Sequence, residues 1–163
     1  MKALDQRPKV GTPFLAETLD RAKISHFQVA ALPWRIGTSG VEILLVTSRG
    51  RKHWLLPKGW LEERESPSQG AAREAAEESG VVGTVSASEF GRYVYIKNVS
   101  RRPRYCEVSV FSLRVERISG KWKESRQRTR KWMSREEALI SVKESDLRTL
   151  IAAFFDSDNL VAA

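Results

Sequence analysis

The chain has 163 residues, of which 41% are hydrophobic and 29% are charged, and its formal net charge is +8. This balance predicts one globular domain with enough chain for a hydrophobic core. No apolar run approaches the roughly 20 residues of a membrane span, and the first residues lack the apolar stretch of a signal peptide. A single cysteine, Cys106, excludes an internal disulfide and is typical of a reducing compartment. We therefore expect a cytosolic protein without a membrane partner.

The first part of the chain predicts a β-hairpin after a polar lead-in. Residues 1–24 are mostly polar, with turn-forming proline and glycine, and residues 25–163 are expected to form the single domain. Two apolar runs, 27–34 and 41–47, are rich in valine, isoleucine and leucine and flank a turn with glycine at both ends. This pattern is typical of two antiparallel strands joined by a short loop.

A short strand at 53–56 leads into a loop and then a helix. Ser66 is a good N-cap residue, Pro67 suits the first helical position, and Gly80 suits the position just past the C-terminus. These signals predict a helix over 67–79.

Alternating strands and two helices are predicted for the rest of the chain. The run 104–118 alternates for long enough to be a central strand. A capping box at 134–137 opens one of the helices. The predicted strands are 81–85, 91–97, 104–118 and 130–133, and the predicted helices are 135–143 and 146–155.

The helix at 67–79 carries an acidic stripe. Glu74, Glu77 and Glu78 fall on one face, and four alanines fall on the opposite face, where they allow close packing on a sheet. Crowded like charges repel one another, which a divalent cation would relieve. Hard carboxylate oxygens suit Mg²⁺ or Mn²⁺. Such an ion can neutralise a leaving pyrophosphate and orient a water, whose proton a spare glutamate accepts.

The segment that begins at Gly59, contains Glu65 and ends with the run 73–81, Arg-Glu-Ala-Ala-Glu-Glu-Ser-Gly-Val, resembles the motif of the Nudix hydrolases very closely. The resemblance implies a magnesium-dependent pyrophosphate hydrolase on an α/β/α sandwich with a mixed β-sheet, in which Glu65 braces the loop. Charge runs alone favour a simpler interpretation, a solvated helix face of glutamate and arginine.

The same resemblance implies roles for single residues. Glu74 and Glu78 look like metal ligands, together with the carbonyl of Gly59. Glu77 looks like the general base, and it is also a candidate metal ligand because family members divide these roles differently. Arg73 is similar to the family arginine that orients the carboxylates by ion pairing.

The charge distribution indicates a substrate with many phosphates. Residues 62–78 contain six acids and two arginines, a net of −4, so the rest of the chain carries +12. A polyphosphorylated ligand would be attracted to that basic surface and held by arginine forks. The alternative is that basic surface residues only provide solubility.

A second resemblance covers residues 120–138. Trp122 is followed by an acid and a serine two and three positions later, a basic run ends in Trp132, and an acid-alanine pair lies in the next helix. This tail looks like that of the diphosphoinositol polyphosphate phosphohydrolases. Upstream, the segments 44–49, 54–57 and Arg104-Tyr105 also fit their pattern.

Phosphate contacts follow from this second resemblance at the matching positions. The chain departs from the animal members at 57–60, where those have a run of glycines, and Lys58 in this stretch is expected to add a further phosphate contact. Trp122 and Trp132 are expected to pack in the fold rather than stack on a base. The implied phosphate-binding residues are Ser48, Arg49, Arg104, Arg128 and Arg130.

Three functions are compatible with these features. The first is a metal-dependent hydrolase of a phosphoanhydride in a diphosphoinositol polyphosphate or a dinucleoside polyphosphate such as a diadenosine polyphosphate. The second is a Nudix enzyme of RNA 5′ ends, for which the basic surface would attract the backbone. The third is a non-catalytic sensor of a phosphate ligand, against which the complete set of acids argues.

Overall fold

The computed structural model describes residues 19–99 and 101–157. Most of the predicted lead-in, residues 1–18, lies outside the described residues, as do the last six positions of the predicted domain. The described part begins with a short 3-10 helix, Arg21–Lys23, which the side chain of Asp20 caps by accepting from the backbone N–H of Ala22 at 3.0 Å. The boundaries 1–24 and 25–163 therefore stay predictions.

Within the described residues the chain forms eight strands and three α-helices. The strands and helices predicted from the sequence are present, with shifts of a few residues at some ends. Strand β4 was not predicted, because two residues are too short to show a periodic pattern. In chain order the elements are β1 Ile24–Gly37, β2 Gly40–Thr47, β3 Trp54–Leu55, β4 Lys58–Gly59, α1 Pro67–Ser79, β5 Val81–Val85, β6 Gly91–Val99, β7 Arg102–Ile118, β8 Arg130–Met133, α2 Arg135–Ser141 and α3 Ser145–Phe155.

Helix α1 begins and ends where its local signals predict. The hydroxyl of Ser66 accepts from the backbone N–H of Gln69, and the side-chain oxygen of Gln69 accepts from the backbone N–H of Ser66. Pro67 occupies the first helical position. Gly80 ends the helix in the left-handed region with φ 68°. Because only glycine adopts this conformation without strain, the chain can turn directly into β5.

The sheet is mixed and centres on β1 and β7. These two strands pair in parallel, with Ile24 to Trp34 beside Tyr105 to Arg114. On its other edge β1 pairs antiparallel with β2 and β4, while β7 pairs antiparallel with β5 and β6. Strands β3 and β8 add to β2. The central position predicted for the long strand β7 is confirmed.

Alternation along the strands separates two cores, one on each face of the sheet. Odd-numbered residues of β1 face α1, and even-numbered ones face α2 and α3, so the predicted α/β/α sandwich is confirmed. The α1 core consists of Val29, Ala31, Leu44, Ala71, Ala75, Val81, Phe111 and Leu113. The opposite core includes Ala30, Leu32, Ile43, Tyr93, Val108, Leu147, Leu150, Ile151 and Phe154.

In the part of the chain that the structure describes, no helix is both long and apolar enough to cross a membrane.

Two isoleucines of the helical layer test this account of the core. Ile151 in α3 is fully buried, whereas Ile140 in α2 is 86% exposed. We expect Ile151→Ala to lower the free energy of unfolding by about 2–5 kcal/mol, because it removes buried methyl groups and leaves a cavity. The matched control Ile140→Ala should change it by less than about 0.5 kcal/mol. Urea denaturation measures both, and equal losses would contradict the assignment of α3 to the core.

Candidate active site

A cavity of about 970 Å³ lies beside the acidic face of α1. Its walls come from α1, from the loops that follow β2 and β4, and from the segment before β8. The structure thus brings together most of the residues that the sequence singled out. The predicted site residues that line it are Ser48, Arg49, Lys58, Gly59, Arg73, Glu74, Glu77, Glu78 and Arg128.

Gly59 lies close against Glu74 because β4 is held to the sheet. Its backbone pairs with Val29 of β1, which fixes the loop in front of α1. A Cβ atom at position 59 would collide with the carboxylate of Glu74. A side chain at position 59 would therefore displace the Glu74 carboxylate, and glycine lets the loop backbone lie next to the acidic face.

Arg73 ties the loop before α1 to the acidic face. Its Nε donates to Glu65 at 2.8 Å, its Nη1 to Glu74 at 2.8 Å, and its Nη2 to the carbonyl of Trp60 at 2.8 Å. The hydrogen bond from Arg73 lowers the pKa of Glu65. The guanidinium therefore orients one carboxylate of the face and fixes the loop, which is the arrangement that the sequence predicted for Arg73 and Glu65.

Glu78 is a buried carboxylate held between two basic residues. Its Oε1 accepts from Nη2 of Arg128 at 2.7 Å, and its Oε2 accepts from the backbone N–H of Lys58 at 3.2 Å. Burial raises the pKa of Glu78 to about 7, although the charge of Arg128 opposes this shift. Burial likewise raises the pKa of Glu74. Arg73 beside Glu74 and Arg128 beside Glu78 offset part of these pKa shifts, because their positive charge stabilises the ionised carboxylates.

Glu77 is the most accessible of the three glutamates. Its side chain is 28% exposed and lies 3.3 Å from Nζ of Lys123 and 3.6 Å from Nη1 of Arg73. Among residues 19–99 and 101–157, no group of three or more acidic, histidine or cysteine side chains already has the geometry of a metal site. The donor chemistry nevertheless fits a hard divalent cation, because carboxylates and a loop carbonyl face one cavity.

Ser48, Arg49 and Lys58 all line the cavity but differ in hydrogen bonding and exposure. Ser48 accepts through its hydroxyl from the backbone N–H of His53 at 2.9 Å, whereas Arg49 is 65% exposed. Burial lowers the pKa of Lys58, whose Nζ lies over the ring of Tyr95, 4.6 Å from its centroid. Arg49 is therefore the most available of these for a ligand.

Two predicted phosphate contacts, Arg104 and Arg130, do not line this cavity. Arg130 instead donates to the carbonyl of Ser79 at 2.8 Å and covers the ring of Trp122 at 3.9 Å. It therefore caps the last turn of α1. Arg104 lines a neighbouring side cavity. The phosphate contacts predicted for these two residues stay predictions, and their positions could not be predicted because a basic run does not show in which direction each member points.

The two tryptophans pack as predicted. The indole N–H of Trp122 donates to the carbonyl of Glu78 at 3.0 Å, and Trp132 lies under the guanidinium of Arg35 at 4.0 Å. An arginine guanidinium thus covers one face of each of these two rings.

The NUDIX domain family matches residues 26–154, which includes the whole of this site. The chain belongs to the NUDIX domain family. Members of this family generally use divalent metal ions such as Mg²⁺.

Curated relatives and solved structures agree with the family. Nudix hydrolase 21, chloroplastic, of Arabidopsis thaliana is 34% identical over 132 residues, which cover 78% of this chain and 65% of that protein. Diphosphoinositol polyphosphate phosphohydrolase 2 of Rattus norvegicus is 37% identical over 130 residues, 78% of this chain and 68% of that protein. The fold of the C. elegans Ap4A hydrolase matches with a TM-score of 0.59 and 19% identity, covering 82% of this chain and 98% of that one.

The Nudix chain spans roughly half to two thirds of the length of the first curated relatives that it matches. Because the relatives include a protein named as chloroplastic, the cytosolic location stays a prediction.

Sequence reasoning missed the contribution of Lys123 and Glu124 to this Nudix site. Glu124 lies 3.4 Å from Nε of Arg128 and 3.8 Å from Nη1 of Arg49, and its backbone N–H donates to the carbonyl of Glu77 at 3.1 Å. It therefore connects the segment before β8 to α1. The four-residue spacing of Glu124 and Arg128 was a signal that could have indicated their pairing.

The buried pair of Arg128 and Glu78 yields a prediction about stability. In buffer without divalent cations, we expect Arg128→Met to lower the free energy of unfolding by about 3–5 kcal/mol, since it leaves a buried carboxylate without its partner. Adding Glu78→Gln should recover part of the loss. The control is Lys131→Met, which removes an ion pair with both side chains half-exposed and should cost about 0–1 kcal/mol. Urea denaturation of the four proteins measures this, and no recovery in the double variant would show that the pair is not coupled.

Proposed function

We propose that this chain hydrolyses a phosphoanhydride bond in a polyphosphorylated small molecule. The observation that carries the proposal is the placement of three glutamates of α1, the Gly59 loop and several cationic side chains around one cavity of about 970 Å³. Acidic and basic side chains around one cavity suit a reaction in which phosphate charge must be bound and a water activated.

The acidic wall supports a divalent metal site. Glu74, Glu78 and the carbonyl of Gly59 would hold the ion, with Glu77 as a further ligand or as the base. When bound, Mg²⁺ or Mn²⁺ neutralises phosphate charge and lowers the pKa of a bound water. Arg73 keeps the carboxylate of Glu74 in place through its 2.8 Å hydrogen bond.

Glu77 is the best-placed general base among the three. It is the most accessible of them, and its two basic neighbours stand at 3.3 and 3.6 Å rather than at short hydrogen-bond distance. Glu78 in contrast is buried against Arg128 at 2.7 Å. A base must reach the water that it deprotonates, which an accessible carboxylate does more readily.

The basic wall supports the substrate class. Arg49, Lys58 and Lys123 line the same cavity as the glutamates. The 37% identical relative from rat is named for diphosphoinositol polyphosphate, which favours a ligand with many phosphates. A diphosphoinositol polyphosphate or a diadenosine polyphosphate is therefore the proposed substrate.

The role of Glu77 is tested by Glu77→Gln. We expect kcat for either proposed substrate to fall by about 10²–10⁴-fold, because the amide cannot accept the proton of the attacking water. Phosphate release is measured in magnesium buffer and again after addition of EDTA, which should remove the activity of the unchanged protein.

The matched control for this test is Glu63→Gln. Glu63 lies in the same loop-helix region but is exposed and does not line the cavity. It should keep the activity of the unchanged protein. Turnover by Glu77→Gln at the same rate as by this control would refute the assignment of the base.

Arg49 is tested as a phosphate contact. We expect Arg49→Ala to raise KM about tenfold with kcat little changed, since a charge-assisted hydrogen bond to the bound substrate is lost. Arg148→Ala serves as the control, because Arg148 is exposed on α3, away from the cavity. Initial rates over a range of substrate concentrations separate the two constants. An unchanged KM for Arg49→Ala would remove this residue from the binding site.

A further inference from the structure

A side cavity of about 180 Å³ adjoins the main cavity. It shares Trp60, Tyr95 and Lys97 with the main cavity, so the two are neighbours and a single ligand can extend from one into the other. Its volume is far above the roughly 10–15 Å³ that one water requires, so it has room for an organic ring. The remaining lining residues are His26, Arg104 and Cys106.

Aromatic rings dominate the side cavity. The rings of His26 and Trp60 lie 5.6 Å apart between centroids with a tilt of 55°, and Tyr95 forms a further wall. Trp60 is 49% exposed, although its backbone carbonyl is fixed by Nη2 of Arg73 at 2.8 Å. An indole on a fixed backbone, half open to solvent, is a ready surface for stacking.

Trp60 differs from the packed tryptophans in what covers its ring. Within the described residues, arginine guanidinium groups lie over the rings of Trp34, Trp122 and Trp132, and no cation lies over that of Trp60. Trp60 also follows Gly59 directly, next to the acidic wall. Apart from its contact with the ring of His26, the half-exposed indole of Trp60 is therefore open to a ligand where the two cavities meet.

Apolar and aromatic surface makes up most of the lining of the side cavity. Two cations, Lys97 and Arg104, also line it, and Nη1 of Arg104 lies 3.5 Å from Nε2 of His26. An inositol ring with phosphates on its oxygens would bring many negative charges against apolar walls. A nucleobase brings a flat, uncharged π-system, which stacks on aromatic side chains.

We propose that the side cavity binds the nucleobase of a nucleoside polyphosphate, with Trp60 as the stacking surface and the phosphate chain in the main cavity. This inference rests on the proposed function and narrows its substrate to a nucleotide-bearing polyphosphate. Lys97, which lines both cavities, is placed to contact the phosphate nearest the nucleoside.

The first test is a binding measurement that needs no hydrolysis. Titration calorimetry compares AMP with ribose 5-phosphate, which lacks the base, with and without magnesium. We expect AMP to bind the unchanged protein about tenfold more tightly, the usual scale of one stacked base. Trp60→Ala should abolish the difference and Trp60→Phe should keep most of it. Equal affinity for the two ligands, or no binding of either, overturns the proposal.

A control variant separates stacking from general loss of structure. Phe27 is a 61% exposed aromatic residue on β1 that lines neither cavity. Phe27→Ala should keep the preference for AMP. A loss of preference in Phe27→Ala equal to that in Trp60→Ala would also overturn the proposal, because the effect would not be local to the side cavity.

The second test compares turnover of a substrate with bases and one without. We expect Trp60→Ala to lower kcat/KM for diadenosine tetraphosphate about tenfold and to leave that for a diphosphoinositol polyphosphate unchanged. Equal losses on both would overturn the nucleobase site. If the unchanged protein hydrolyses neither compound while the preference for AMP depends on Trp60, the proposed hydrolysis fails and the nucleobase site stands.

Discussion

Two glutamates of one helix turn, Glu74 and Glu78, are buried side by side, and the rest of the site depends on how their charge is balanced. Burial raises the pKa of both carboxyl groups, and the charge of Glu74 raises that of Glu78 further, so each needs a basic partner at short distance. Arg73 supplies one from the same helix, and Arg128 supplies the other from the segment before β8. These two arginines also fix the loops that form the cavity walls, so neutralisation and shape have the same cause.

Close packing of α1 against the sheet determines the position of its acidic face. Ala71 and Ala75 are fully buried against the sheet, so the backbone of α1 approaches the strands closely. Gly70 and Gly59 remove two further side chains at points where a Cβ atom would meet Leu61 or the Glu74 carboxylate. Because α1 cannot move outward without losing these contacts, the packing of the helix holds its glutamates at the cavity.

The sequence predicts the elements well and the long-range ion pairs poorly. The bounds of α1 follow from Ser66, Pro67 and Gly80, which act within a few residues of themselves. The direction of the Arg130 side chain does not follow from nearby residues, because it depends on the pairing of β8 with β2, where Arg130 lies opposite Val46.

The side cavity could not be predicted from the sequence for a related reason. Its walls come from β1, β6, β7 and the residue after β4, which are far apart along the chain and meet only in the sheet. No local pattern records which side chains of different strands will meet. The family motif, in contrast, concentrates its residues in one loop and one helix, so that most of the acidic wall could be predicted from spacing alone.

The ion pair of Glu78 and Arg128 joins residues fifty positions apart, and this separation affects folding during synthesis of the protein. A ribosome that adds about 5–20 residues per second needs several seconds to pass from one to the other. During that interval the acidic face of α1 lacks one of its two arginines. Burial of Glu78 must therefore wait until the segment before β8 has left the exit tunnel, which makes the completion of this cavity a late event in synthesis.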